Sequence, residues 1–536
     1  MSAELVFGRV LLSNRYDAIV VGAGLGGLTA AAALATSGLH VLVLERSGHA
    51  GGTAATYARD GFRFPMGPLG FSNPGLVERT LRGVGAGPPT ELRRIDFGLR
   101  AFGLDRKLSE PLDRLADSLA GDFPADRDGI LRFFGDVGMI AGELKDARSE
   151  AREPRLRDSH LSSAGDYLAG LVSDRRLRRI LGSIGTNEPF FSIPMLAAMW
   201  DLFCDIGIFR PACGMDAIWR SAVGTSKSGV AGDSSSFSSC DDAAGSFEIR
   251  LGCAVERISV ARGRAIGVVL RGDELVAAGS VVCNADFKTT FLSLLGAEDQ
   301  PPEWRRAVAE APLSPSGFHL SLGVDAARVD LSAFTGSRLI YRSDPGLDGD
   351  GPAALDWGCP EIEPRDLARQ ELEVDLFSAD EPGAAPDGAA VVLIRAAADF
   401  AHFARFRPFP GGREPGYGDY KARLARALVS EVSRLLPGLA DAARVTEVAT
   451  PLTYEERAGR SHGAIAGWSQ GFRGNGDYVV RELIRTPVAG LYMAGHQAYS
   501  WMMLGGIPTA VESGARAARA VLRGDGPETG VTIPSA

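Results

Sequence analysis

Cysteine is sparse in this chain. Six occur in 536 residues (Cys204, Cys213, Cys240, Cys253, Cys283 and Cys359), and none forms a C-x-x-C pair. That excludes a disulfide framework and a thiolate zinc site, and it fits a reducing compartment. The seven histidines show neither H-x-x-x-H nor H-E-x-x-H spacing, so no metal is expected. Basic charge is also short: a net charge of −9 and a pI near 5.5 argue against nucleic acid as a partner. The runs "REPRLRD" and "SDRRLRRI" read as solvated helix faces, with contact to anionic lipid as the alternative. The first residues, "MSAELVFGRVLLSNR", lack the charged start and long apolar core of a secretion signal. They read as a terminal extension, with a short amphipathic anchor as the alternative. The expectation is a cytoplasmic protein, with peripheral contact to the inner membrane face left open.

What is present begins with a long stretch free of charge. Residues 18–44 carry no Asp, Glu, Lys or Arg, enough length to cross a bilayer. Five glycines inside it point elsewhere. "YDAIVVGAGLGGLTAAAALATSGLHVLVLERSGHAGG" reads as strand, tight turn, helix and strand. Gly22, Ala23, Gly24, Leu25, Gly26 and Gly27 make the turn. Gly22 allows its sharpness, Gly24 lets backbone approach a pyrophosphate, and Gly27 allows close packing of helix on strand. The helix N-terminus then offers oriented N–H groups to the anion. Glu45, closing the second strand, is placed to accept hydrogen bonds from ribose hydroxyls, and an acid there disfavours a 2′-phosphate. Gly51-Gly52 supplies further exposed N–H groups of the kind that form an anion nest.

"ERSGHAGGTAAT" resembles the extended motif of the FAD-dependent amine oxidase and phytoene desaturase superfamily. The resemblance implies FAD as cofactor and adds Arg46, Gly51, Gly52 and Thr53 to its site. "GFRFPMGPLGFSNP" resembles the family's glycine–proline turn beside the flavin ring, which implicates Gly67, although Pro65 stands where relatives carry an acid. "PACGMDAIW" resembles a P-x-G-G-M turn with Cys213 in place of a glycine, read as a small buried residue. Val255 matches the family position whose backbone pairs with adenine. "TPLTYEERAGRSHGAIAGW" resembles the phytoene desaturase, carotenoid isomerase and retinol saturase branch.

The implied fold is α/β, with a discontinuous Rossmann-like FAD-binding domain (14–75, 210–300 and 441–525) and an inserted α+β substrate domain (76–209 and 301–440). The tract at 225–247 is Ser/Gly/Asp-rich and reads as a flexible insertion. Residues 76–209 read as helix-rich. There Phe190, Phe191, Met195, Met199, Trp200 and Phe203 form an apolar stripe, read as core with a lipid tunnel as the alternative. A strand meander with turns at Arg262-Gly263 and Gly272-Asp273 leads to Asp286, read as a helix cap. Pro386-Asp387-Gly388 is a further turn. Leu424, Leu428, Val432 and Leu435 fall at helical spacing, as core positions do.

The C-terminal "GLYMAGHQAYSWMMLGGIPTAVESGARAARAVL" reads as a last strand, a turn at Gly495, and a helix started by Gly506, Ile507 and Pro508 beside the flavin. His496 is the one candidate for acid–base work. Tyr499, Trp501, Met502 and Met503 are expected on the substrate face. The activity implied is hydride transfer between flavin and the C–C bonds of a long isoprenoid or polyene lipid: desaturation, saturation or isomerisation. Two alternatives stand. One is an amine oxidase-like flavoenzyme, with Tyr454 and Trp468 as aromatic walls. The other is a non-catalytic prenyl-lipid carrier of the Rab escort type.

Overall fold

The computed structural model describes residues 16–89, 91–150, 152, 154–157, 164–183, 192–223, 246–343, 359–407, 414–469, 481–500, 505–528 and 533. The terminal extension and residues 225–245 of the proposed insertion lie outside these, as do Cys240, Phe190 and Phe191.

Two seven-stranded sheets organise the chain. The first contains β1 (Tyr16–Val21), β2 (His40–Leu44), β9 (Ser246–Arg250), β10 (Val255–Ala261), β11 (Arg264–Leu270), β12 (Leu275–Cys283) and β19 (Leu491–Met493). β1 pairs in parallel with β2 and β12, β2 with β9, and β12 with β19. The charge-free run therefore makes two central strands and the helix between them, all deeply buried, which is why it mimics a membrane span in hydropathy. β9 begins at Ser246, two residues inside the segment assigned to the insertion, because Ser246 and Phe247 pair with His40 and Val41. β12 serves three neighbours: its start runs antiparallel to β11, and its end runs parallel to β1 and to β19. The expected meander is thus an outgrowth of the nucleotide-binding sheet. Its turns fall at Arg262-Gly263 and Gly272-Asp273, all four at positive φ, as two-residue hairpin turns of the mirror-image type require.

The second sheet runs β17 (Ala443–Ala449), β13 (Ser316–Asp325), β16 (Ala389–Ala398), β15 (Leu372–Leu376), β14 (Arg338–Arg342), β6 (Phe97–Ala101) and β7 (Leu104–Lys107). On one face Phe318, Leu320, Leu322 and Ile394 pack on Tyr420, Leu424, Leu428 and Val432 of the helix Tyr417–Val432. Leu435 lies beyond that helix and is partly buried against the same cluster. On the other face Val391 and Leu393 meet Phe62 and Phe64 from the hairpin of β3 (Thr56–Arg59) and β4 (Phe62–Pro65). Residues 76–209 are rich in helix, and they also supply β6 and β7 to this sheet. Their turn carries Phe102 at φ +53 before Gly103, and a phenylalanine in that conformation gives no sequence signal. Two short pairs complete the strands: β5 (Leu92–Arg94) with β8 (Phe209–Pro211), and β18 (Arg481–Glu482) with β20 (Tyr499–Ser500).

The helices Leu25–Thr36 and Ile507–Arg523 cross at Gly26 and Gly514. A Cβ at Gly514 would lie 2.2 Å from the Gly26 carbonyl oxygen. Gly514→Ala should therefore push the helices apart and cost about 1–3 kcal/mol, as overpacking does. A lowered thermal midpoint is the expected result, and an unchanged one would contradict this packing.

Candidate functional site

The first βα turn is built without room for side chains. Gly22 sits at φ +98, and a Cβ on Gly27 would lie 2.1 Å from the Gly22 carbonyl oxygen. Glu45, 8% exposed, accepts from Ala23 N–H (2.8 Å) and Ser47 N–H (2.8 Å), which fixes the turn against the end of β2. Gly51 N–H donates to the Ala23 carbonyl at 2.8 Å, so the second glycine pair folds back over the first turn. Gly51 (φ +95) backs onto the Trp219 ring, 2.8 Å from where its Cβ would be.

Two helices end at this cradle with free N–H groups. The helix Leu25–Thr36 has Gly24 as its N-cap and the helix Ile507–Arg523 has Gly506. Neither has a side-chain cap or an acid in its first turn. Pro508 occupies the first turn of the second, as its fixed φ favours. Orphan N–H groups at a helix start and the positive end of the dipole together suit an anion.

Asn284, directly after β12, completes the cradle. A Cβ at Gly24 would lie 2.8 Å from its Nδ2. One at Gly26 would lie 2.6 Å from its Oδ1 and 2.8 Å from Gly495 N. The glycines thus surround one polar amide, for which no hydrogen bond to another described side chain or backbone group is formed. Close by, Gln497 is 4% exposed; its Oε1 accepts from Phe287 N–H, while its Nε2 is buried without a partner among the described residues. Uncapped helix starts, a side-chain-free cradle and an orphaned buried donor all fit a dinucleotide bound here.

Other expected residues have engagements of their own. Arg46 donates to the Glu456 and Arg457 carbonyls (3.2 Å each), at the C-terminus of the helix Pro451–Ala458, where a cation complements the dipole. Thr53 Oγ1 accepts from Arg460 (3.0 Å), and the Gly67 carbonyl accepts from Arg395 (2.6 Å). Val255 opens β10 opposite Leu270. Asp286 does cap a helix, accepting from Thr289 N–H at 3.0 Å, and it also holds Ser461 through its hydroxyl (2.5 Å) and N–H (3.2 Å). His496 packs on Gly467, whose Cβ would lie 2.8 Å from its ring. Tyr499 is buried with its ring under Arg516, 4.4 Å away. Trp501, Met502 and Met503 lie outside the described residues.

Three readings are corrected or narrowed. Cys213 is exposed, because it sits at the corner of a tight turn closed by Gly214 N–H to the Pro211 carbonyl. Met195, Met199, Trp200 and Phe203 are core: Trp200 bonds the Leu181 carbonyl and meets Phe133 and Phe134 edge-on. Trp468 is 2% exposed, bonded to the Gln497 carbonyl and packed on Phe287, so it walls no open pocket.

Sequence reasoning missed a polar cluster above Gly67 and Thr53. His319 on β13 lies opposite Arg395 on β16, and the Tyr454 hydroxyl is 2.5 Å from His319 Nδ1. A lone histidine in "GFHLSLGV" carries no signal beyond strand alternation. Among the described residues, no group of three or more His, Cys, Asp or Glu is placed to hold a metal ion.

Comparison with known proteins agrees with this geometry. Residues 20–82 match a family model described as an NAD(P)-binding Rossmann-like domain. Over 490 residues the chain is 26% identical to prolycopene isomerase 2 of an Oncidium hybrid cultivar, covering 85% of this chain and 76% of that protein. It is 28% identical over 322 residues to hydroxyneurosporene desaturase of Rubrivivax gelatinosus, covering 56% and 59%. Cyclohexylamine oxidase from Brevibacterium oxydans superposes with a TM-score of 0.57 at 16% identity, covering 95% of this chain and 99% of that one. That last likeness establishes the α/β fold with its Rossmann-like domain. The resemblance to the phytoene desaturase and carotenoid isomerase branch holds across most of the chain.

Two predictions follow from the cradle and its surroundings. Gly26→Ala meets backbone at Gly495, so the protein should purify with less than a tenth of its normal flavin; normal loading would contradict the cradle. Burial, then the nearby positive charges of Arg395 and Arg460, hold His319 and His496 well below the usual histidine pKa. Below an unfolded pKa of about 6.5 the unfolded chain binds protons that the folded one does not. Stability should therefore fall as pH drops from there towards the folded values. His319→Gln and His496→Gln should each reduce the loss of thermal midpoint between neutral and mildly acidic buffer.

Proposed function

We propose that this chain is an FAD-dependent oxidoreductase acting on the C–C bonds of a long apolar isoprenoid or polyene lipid. The observation that carries the reading is one match over most of the chain: a relative named prolycopene isomerase aligns over 85% of it, and the glycine cradle of this chain is intact. FAD supplies a two-electron acceptor or donor for hydride. Gly22–Gly27, Gly51-Gly52, Glu45 and Gly495 would hold its dinucleotide part, with Asn284 beside the pyrophosphate. Gly506, Ile507 and Pro508 would present the second helix start to the ring, where a positive dipole end favours a negative charge. Arg395 and Arg460 fix Gly67 and Thr53, and so fix the loop that separates cofactor from the second sheet.

The polar groups of this chain then bind and orient, because an apolar substrate needs exclusion of water more than it needs ionic contacts. The rival amine oxidase reading called on Tyr454 and Trp468 as aromatic walls. Trp468 is core, which takes away one of those two walls. The carrier reading gives no reason for the intact cradle. No described helix is long and apolar enough to cross a membrane. A substrate of this class dissolves in the bilayer, so we place the protein at a membrane surface during turnover.

The test is anaerobic titration of the purified, yellow protein. Phytoene or another polyene with saturated bonds left in its chain, in micelles, should bleach the flavin, or prolycopene should isomerise with flavin unchanged at the end. Bleaching by amines and not by polyenes would sink the reading, and a colourless protein that binds prenyl lipid would establish the carrier.

A further inference from the structure

We propose that Tyr454 and His319 act as a proton-transfer pair for the C–C bond chemistry, an assignment that rests on the function proposed above. His319 lies on the face of the second sheet that looks towards the cofactor cradle, and Tyr454 packs against it. His319 and Arg395 are directly opposed on neighbouring strands, so their side chains leave the sheet on one side. Arg395 reaches from that side to the Gly67 carbonyl, at the turn that packs on Thr53. The face carrying His319 is thereby pointed at the same turn.

The pair is built in from several directions. Tyr454 stands on a helix whose start is fixed by a reciprocal Thr450–Thr453 capping box and whose end is held by Arg46. Its ring meets the imidazole edge-on, with centroids 5.3 Å apart. The strand leaves space for the imidazole by placing glycine two residues earlier: a Cβ at Gly317 would lie 2.6 Å from His319 Nε2. The charged and titratable groups around the pair are Arg395 from β16, Arg460 beyond the helix, and Tyr57 from β3. Burial and Arg395 keep the imidazole neutral, and burial pushes the Tyr454 phenol up to about 12. With the imidazole proton on Nε2, the hydroxyl donates to Nδ1.

In desaturation, bound FAD would supply the acceptor for hydride from one carbon. The C–H bond on its neighbour then breaks, and that electron pair becomes the new π bond. The released proton goes to the Tyr454 oxygen as the hydroxyl's own proton passes to His319 Nδ1. The imidazolium so formed faces the Arg395 charge and sheds its proton to solvent. Saturation runs the same transfers in reverse, and isomerisation takes the proton out and returns it. A Tyr–His pair that only satisfies buried polar groups would account for the hydrogen bond as well, so the test must read proton transfer itself.

Tyr454→Phe and His319→Gln are assayed with phytoene and with prolycopene, each using oxidised and dithionite-reduced protein, in H2O and D2O. Flavin absorbance and thermal midpoint report folding. We expect both variants to keep flavin and to lose turnover by about 10²-fold, with KM little changed. The solvent deuterium effect of the wild type should disappear in both. Variants within threefold of wild type, with its solvent effect intact, overturn the pair and leave the function standing. If His319→Gln loses flavin, Tyr454→Phe decides by the same criterion. Wild-type protein that converts no polyene overturns the function and the pair together.

Discussion

Two stretches of backbone meet around the Asn284 amide, Gly24 and Gly26 from the first turn and Gly495 after β19, and a third, Gly51-Gly52 after Glu45, packs on Gly24 and on the Trp219 ring. Two helix starts without side-chain caps reach the same place. Bringing so much polar backbone together would leave N–H groups orphaned unless an anion satisfies them. The parallel order of the first sheet, the close crossing at Gly514, and the tie from Gly51 to Ala23 all serve this convergence.

The second sheet is positioned against it by long side chains that span sequence distances of hundreds of residues. Arg46 reaches the helix after β17, Arg460 returns to Thr53, and Arg395 reaches Gly67. Asp286 clasps Ser461 from the other side. Each contact ties a loop of the nucleotide-binding sheet to the second sheet or to the segment packed beside it. Tyr454 and His319 stand beside the Arg395 contact.

The sequence made the cradle legible and left its neighbourhood obscure. Glycine spacing, an acid at a strand end and a proline after a glycine each follow from local backbone needs, so Gly22 to Gly27, Glu45 and Pro508 could be read directly. So could Asp286 as a cap and the mirror-image turns. Asn284, His319 and Arg395 could not, because their partners are set by tertiary register. An Asn after a strand looks like any loop residue, and an Arg in "VVLIRAAAD" looks like an interruption. Strands β6 and β7 were hidden by a phenylalanine at positive φ. Arg46 was expected at phosphate, and its place at a helix C-terminus depends on a segment some 410 residues away.

The central claim is that this cradle holds FAD. Its most direct test is to denature the freshly purified protein and identify what it releases. One FAD per chain, recovered as the intact dinucleotide, is the result predicted. Release of a nicotinamide dinucleotide, or of no nucleotide from protein offered FAD in excess, would contradict it.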